Sequence, residues 1–130
     1  MVKTGSFYEL TCSVADELTA LAAGSGTLPV LATPVLAARL EECSWRAAAP
    51  FLPAGCSTVG TKLELRHVSP TPVGMQVFCR AEVTAAEDRT LTFRLSASDA
   101  AGPVAEGTHE RVIIQDDRFL TKASRKADAR

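Results

Sequence analysis

No charge of one sign prevails in this 130-residue sequence, in which 14 basic residues stand against 15 acidic ones for a formal net charge of −1. Chains that bind nucleic acid usually carry a strong basic excess, so nucleic acid is not an expected partner; a small anionic ligand needs only a local patch. A continuous apolar run of about 18 residues, the length of a membrane-spanning helix, is also missing. Met1 to Ser6 lead into a mixed polar segment without an apolar signal region. Neither a membrane partner nor a signal peptide is expected, and the cytoplasm is the expected compartment. Cys12, Cys43, Cys56 and Cys79 form no C-x-x-C pair, and neither His67 nor His109 has a cysteine at ligand spacing. No metal site is expected, and the thiols read as small apolar side chains in a reducing compartment.

What is present fits one ordinary globular domain. The hydrophobic fraction is 46% and the charged fraction 22%. A chain of this length can bury about 65–70% of the surface it exposes when unfolded, enough for a core without staples. The patterning places that domain at residues 1–120, followed by a polar, mobile tail at 121–130. Residues 6–14 are rich in strand formers, and Asp16 to Ala23 suit a short helical turn broken by Gly24-Ser25-Gly26. Thr33-Pro34 opens the one long helix, with threonine as cap and proline in the first turn, and Pro50 stops it after Ala49. Strands are expected at 57–68, 75–83, 91–97 and 104–115, with bends at Pro70–Gly74, Glu87–Arg89 and Asp99–Gly102. Consecutive strands on short links make an antiparallel sheet, and one helix against one sheet is an α+β layer structure.

Two polar residues lie on unexpected faces. On a helical wheel of about 100° per residue, Arg39, Glu42 and Arg46 share one solvated stripe. Glu41 lies away from them, beside Ala37, Ser44 and Ala48. An inward carboxylate is costly unless paired; otherwise that side of the helix is open to water. In the strand 57–68, alternation sends Lys62, Glu64 and Arg66 outward. It sends Val59, Thr61, Leu63, Leu65 and His67 inward. A lone inward histidine is commonly a hydrogen-bonded core residue. Together, however, Glu41 and His67 could form an acid–base pair between helix and sheet. Gly60 suggests close approach by a ligand or another backbone. Thr33 sits at the helix mouth, either as a plain cap or beside N–H groups that can stabilise an oxyanion.

Five stretches in this order carry a family resemblance: Val30-Leu31-Ala32-Thr33-Pro34; the helix with Glu41-Glu42; Thr58-Val59-Gly60-Thr61; Arg66 through Met75; and Glu106-Gly107-Thr108-His109-Glu110-Arg111. Across about residues 6–119 the chain resembles the fluoroacetyl-CoA thioesterases. The resemblance implies a hot-dog fold, an antiparallel sheet of about five strands wrapped around one long central helix. It implies an acyl-CoA thioesterase for a short or small acyl group, with no cofactor beyond the CoA of the substrate. It implies homodimers with sites between subunits, which can pair into a dimer of dimers. It carries the catalytic roles onto Thr33, Glu41 and His67, and substrate-binding roles onto Gly60 and Arg111. Arg111 either touches ligand or pairs with Glu110 or Glu106, and His109 reads as structural.

The namesake enzyme's aromatic lid before the threonine has no counterpart in residues 24–32, so a general or different short-acyl thioesterase is expected. Hot-dog hydratases or dehydratases, and non-catalytic acyl-CoA or acyl-carrier binding modules, are the alternatives. Lys62, Arg66 and Arg80 are outward cations that could meet CoA phosphates. Helix geometry sets one puzzle. Thr33 and Glu41 lie about 12 Å apart along the axis if the helix starts at Pro34. Either the helix starts later, or His67 bridges them, or the site is shared across a dimer interface.

Overall fold

The computed structural model describes residues 1–129. Strand β1 spans Phe7–Ser13, and a short helix α1 spans Ala20–Ala23. The long helix α2 spans Thr33–Ala48. Strands β2 (Cys56–His67), β3 (Gln76–Glu87), β4 (Thr90–Asp99) and β5 (Gly102–Gln115) follow, and helix α3 spans Asp116–Ser124. The five strands form one antiparallel sheet in the order β1-β3-β4-β5-β2. Helix α2 packs across one face of it, so the expected α+β, hot-dog architecture is the observed one.

The packing follows the sequence pattern. Leu36, Leu40 and Cys43 of α2 are fully buried against Val77, Cys79, Ala81 and Val83 of β3 and Leu91, Phe93 and Leu95 of β4. Burial pushes the Cys43 and Cys79 thiols up to about 12, so they serve as small apolar residues rather than nucleophiles. On the wet face of α2, Glu42 lies between Arg39 at 3.8 Å and Arg46 at 2.9 Å. At the helix mouth, the Leu31 N–H donates to the Thr71 carbonyl at 2.9 Å. The Thr71 hydroxyl in turn donates to Asp99 at 2.8 Å, in a buried contact. This clamp holds the start of α2 against the loop that follows β2.

Two features depart from the sequence pattern. A β-bulge at Thr61 breaks the alternation of β2. Thr58 and Gly60 therefore face the helix, together with Leu63, Leu65 and His67, whereas Val59 turns outward. The second departure is α3, which crosses the expected domain boundary at residue 120 and is followed by a 3-10 turn at Arg125–Asp128. Its signal is capping rather than apolar periodicity. The Gln115 side chain accepts from the Arg118 N–H at 2.8 Å, acidic Asp116 and Asp117 open the first turn, and Lys122 sits in the last. Among the described residues, no helix is long and apolar enough to cross a membrane.

Candidate active site

Two polar clusters lie between α2 and β2. The first is at the N-terminus of α2. Ala32 is the N-cap and provides no side-chain cap, so Thr33 is the first helical residue and its hydroxyl is free for other work. That hydroxyl lies 2.8 Å from His67 Nδ1 at the far end of β2. With Thr33 donating, Nε2 carries the imidazole proton. Nε2 is buried and has no hydrogen-bond partner among the described residues. An unmet buried donor costs about 1–3 kcal/mol, so this atom is poised for an acceptor from outside the chain. Burial holds the imidazole below the ordinary histidine range, leaving it a free base at neutral pH. A cleft of about 270 Å³ adjoins the pair, walled by Ala20, Val30, Leu31 and Val68.

The second cluster surrounds Glu41, two turns further along α2. Its carboxylate Oε2 lies 3.8 Å from His109 Nε2 and 3.7 Å from Arg111 Nη1. Arg111 is buried and anchored, donating to the Thr58 hydroxyl at 2.8 Å and to the Thr58 carbonyl at 2.9 Å. It pairs with neither Glu106 nor Glu110. His109 is fully buried, with Nδ1 3.0 Å from the Ser44 hydroxyl. Gly60 is the floor. A Cβ there would come within 3.1 Å of His109 Nε2, 3.2 Å of Glu41 Oε2 and 3.3 Å of Arg111 Nη1. The close approach suggested by a glycine in this strand is real, and the bulge turns it toward the helix.

Glu41 and His67, expected to pair between helix and sheet, make no contact within one chain among the described residues. The helix starts at Thr33, so a later start does not resolve the spacing. Glu41 meets His109 and Arg111 instead. His109, read as structural, stands directly behind the carboxylate. Of the outward cations, Lys62 pairs with Glu64 at 3.5 Å, and Arg80 pairs with Glu9 and Glu82 on the β1 side of the sheet. Arg66 lies on the outer face, beside Glu64 and Glu106.

His109 is neutral at pH 7 despite its acidic neighbour. Burial first, and Arg111 second, push it from 6.5 down to about 4. Its contact with Glu41 is therefore that of a neutral imidazole dipole and not an ion pair. A histidine kept neutral in the fold gives stability that is complete above about pH 6.5 and declines as the pH falls toward 4, because the unfolded chain takes up the proton first. The slope approaches about 1.4 kcal/mol per pH unit. Urea unfolding at pH 7 and pH 5 should show this loss in the native protein and a smaller one in His109→Gln. Equal losses would remove His109 as its source.

Comparison with known proteins follows the same lines. A family model described as fluoroacetyl-CoA-specific thioesterase matches residues 14–117. A fluoroacetyl-CoA thioesterase from Streptantibioticus cattleyicolor is 36% identical over 100 residues, covering 77% of this chain and 72% of that protein. A solved structure of a fluoroacetyl-CoA thioesterase superposes with a TM-score of 0.89 at 30% identity, covering 95% of this chain and 96% of that one. A threonine-to-serine variant in complex with acetyl-CoA gives 0.89 at 28% identity, covering 95% and 98%. A thioesterase superfamily member from Thermus thermophilus shares the fold, with a TM-score of 0.91 at 24% identity over 98% of this chain and 95% of that one.

Proposed function

Because the chain belongs to the family of fluoroacetyl-CoA-specific thioesterases, we propose that it is an acyl-CoA thioesterase for small acyl groups, with each active site built from two copies of the chain. The observation that carries this reading is the Thr33–His67 pair with its unmet Nε2. A threonine hydroxyl, an imidazole and a carboxylate in sequence make an activated nucleophile. One chain supplies the first two at one end of β2 and the third at the other.

Strand β2 also supports the pairing. It is an edge strand of 12 residues, with exposed Leu63 at its middle. A long unpaired edge is a template for another strand. Antiparallel pairing of two β2 strands about a two-fold axis near Leu63–Glu64 would set His67 of each copy beside Gly60 and Glu41 of the other. The Glu41 carboxylate then accepts from Nε2–H, satisfying the orphaned donor and stabilising the imidazolium that forms.

In this site His67 Nδ1 takes a proton from the Thr33 hydroxyl, or from a water held by it, as the oxygen attacks the thioester carbonyl carbon. The proton passes to the departing thiolate as the C–S bond breaks; where Thr33 itself has attacked, a water deprotonated by His67 then cleaves the Thr33 ester, so that either route sums to thioester plus water giving acid plus thiol. Backbone N–H groups at the mouth of α2 or near Gly60 face the developing oxyanion. The walls beside Thr33 are aliphatic, Val30 and Leu31 among them, and residues 24–32 hold no aromatic side chain to form a lid. Selectivity for the fluorinated acyl group is therefore weak. The test is thiol release from acetyl-, fluoroacetyl- and butyryl-CoA, with crotonyl-CoA followed for loss of its enoyl absorbance. Thiol release with fluoroacetyl-CoA favoured over acetyl-CoA by less than about 100-fold is expected, since one small substituent is worth about 1–3 kcal/mol in an apolar pocket. Enoyl loss without thiol release would replace the reading with a hydratase.

A further inference from the structure

Resting on the thioesterase reading, we propose that the groove between α3 and the end of the sheet seats the phosphorylated nucleotide end of the CoA substrate. The groove has a volume of about 710 Å³, within the range of small-molecule sites. Arg89 from the β3–β4 hairpin and Arg118, Lys122 and Arg125 from the C-terminal segment line it together with Ile114 and Phe119. Asp117 is the acidic side chain of the lining. None of the four cations forms an ion pair with a carboxylate among the described residues. They differ in this from Lys62 and Arg80, whose charges are already met. In a chain of net charge −1, four free cations around an aromatic and an aliphatic side chain are a local exception. The combination suits a ligand that carries phosphates and a flat base together.

The groove also lies where the substrate would emerge. Arg111 also lines a second cleft of about 410 Å³, together with Trp45, Leu52, Pro53 and Gly55 to Thr58. The carbonyl of Gly55, in that lining, accepts from the N–H of Asp116, the first residue of α3. Arg111 and Gln115 are four residues apart on β5, about 13 Å. A thioester lying over Gly60 beside Arg111 can therefore send its pantetheine arm past Thr58 and Gly55 and around the end of the sheet to reach α3 on the other side. A concave site of this size favours a nucleotide over the convex surface of a carrier protein.

The triple variant Arg118→Ala/Lys122→Ala/Arg125→Ala leaves every Thr33, Glu41 and His67 contact in place. Its KM for acetyl-CoA should rise at least about tenfold with kcat unchanged, the pattern of lost uniform binding. Turnover of the acetyl thioester of N-acetylcysteamine, which has no nucleotide, should stay within about twofold. By calorimetry, adenosine 3′,5′-bisphosphate should bind the wild type and bind the variant at least about tenfold more weakly. An unchanged KM for acetyl-CoA would overturn the assignment, as would equal losses on both substrates. So would a loss confined to thioesters of a carrier protein. Wild-type protein that binds the bisphosphate in this groove but releases no thiol from any thioester would sink the thioesterase reading and leave the groove a nucleotide site. Active wild type that does not bind the bisphosphate would sink the groove alone.

Discussion

His67→Ala should lower kcat/KM for acetyl-CoA at least ~10²-fold, the usual contribution of a positioned acid–base group. The imidazole is held by Thr33 at 2.8 Å and is kept a free base by burial. It has no part in the core formed by α2 with β3 and β4. The variant should therefore fold, which near-native circular dichroism and thermal unfolding would show. Loss should fall on kcat more than on KM, because the group acts on the developing charge and not on the CoA handle. In the wild type, the same base sets the acid limb of the pH profile. Activity is complete while His67 is neutral and falls as the pH drops through its pKa, which burial lowers and the Glu41 carboxylate of the other copy raises, so Glu41→Ala should move the limb to lower pH. A folded variant with turnover intact would take His67 out of the chemistry and with it the reading of the Thr33 pair.

Mixing two dead proteins should restore activity. His67→Ala and Glu41→Ala homodimers each lack one member of every site. If Thr33 and His67 of one copy meet Glu41 of the other, a heterodimer has one site with both defects and one with neither. Random reassortment gives heterodimers in half the population, so about a quarter of wild-type sites return. Against parents depressed ~10²-fold, that recovery is large. Co-expression with two affinity tags, or unfolding and refolding of the mixture, would supply the heterodimers, and light scattering would confirm two chains per particle. A mixture no more active than its parents would show that each chain holds a complete site. His67 would then need a different partner for its orphaned Nε2.

Much of the site was legible because polar residues on apolar faces are conspicuous. Glu41 was separated from Arg39, Glu42 and Arg46 by helical phase alone, and the observed ladder on the wet face agrees. His67 was placed inward by strand alternation, and it does face the helix. The same alternation misplaced Val59 and Thr61, because a bulge inserts one residue and reverses the facing upstream of it. Gly60 signals close approach by another group, and nothing in the sequence signals the bulge beside it. His109 looked structural because one imidazole suffices for the chemistry. Only packing put it behind the carboxylate, with Ser44 of α2 on its other nitrogen. The cations of α3 carry no signal in the sequence because their segment has no apolar period. A short exposed helix started by a side-chain cap does not need one.

The sequence by itself determined the α+β layers, the inward aim of Glu41 and His67, and the family, since periodicity and order of motifs are local properties carried along the chain. The tertiary structure decided which of those side chains meet. Thr33 reaches His67 and Glu41 reaches Arg111, because β2 runs antiparallel along α2 and pairs the start of the helix with the end of the strand. Contacts between residues distant in sequence depend on register and crossing angle, which no single segment encodes. For that reason the separation of Thr33 and His67 from Glu41 became visible only in three dimensions.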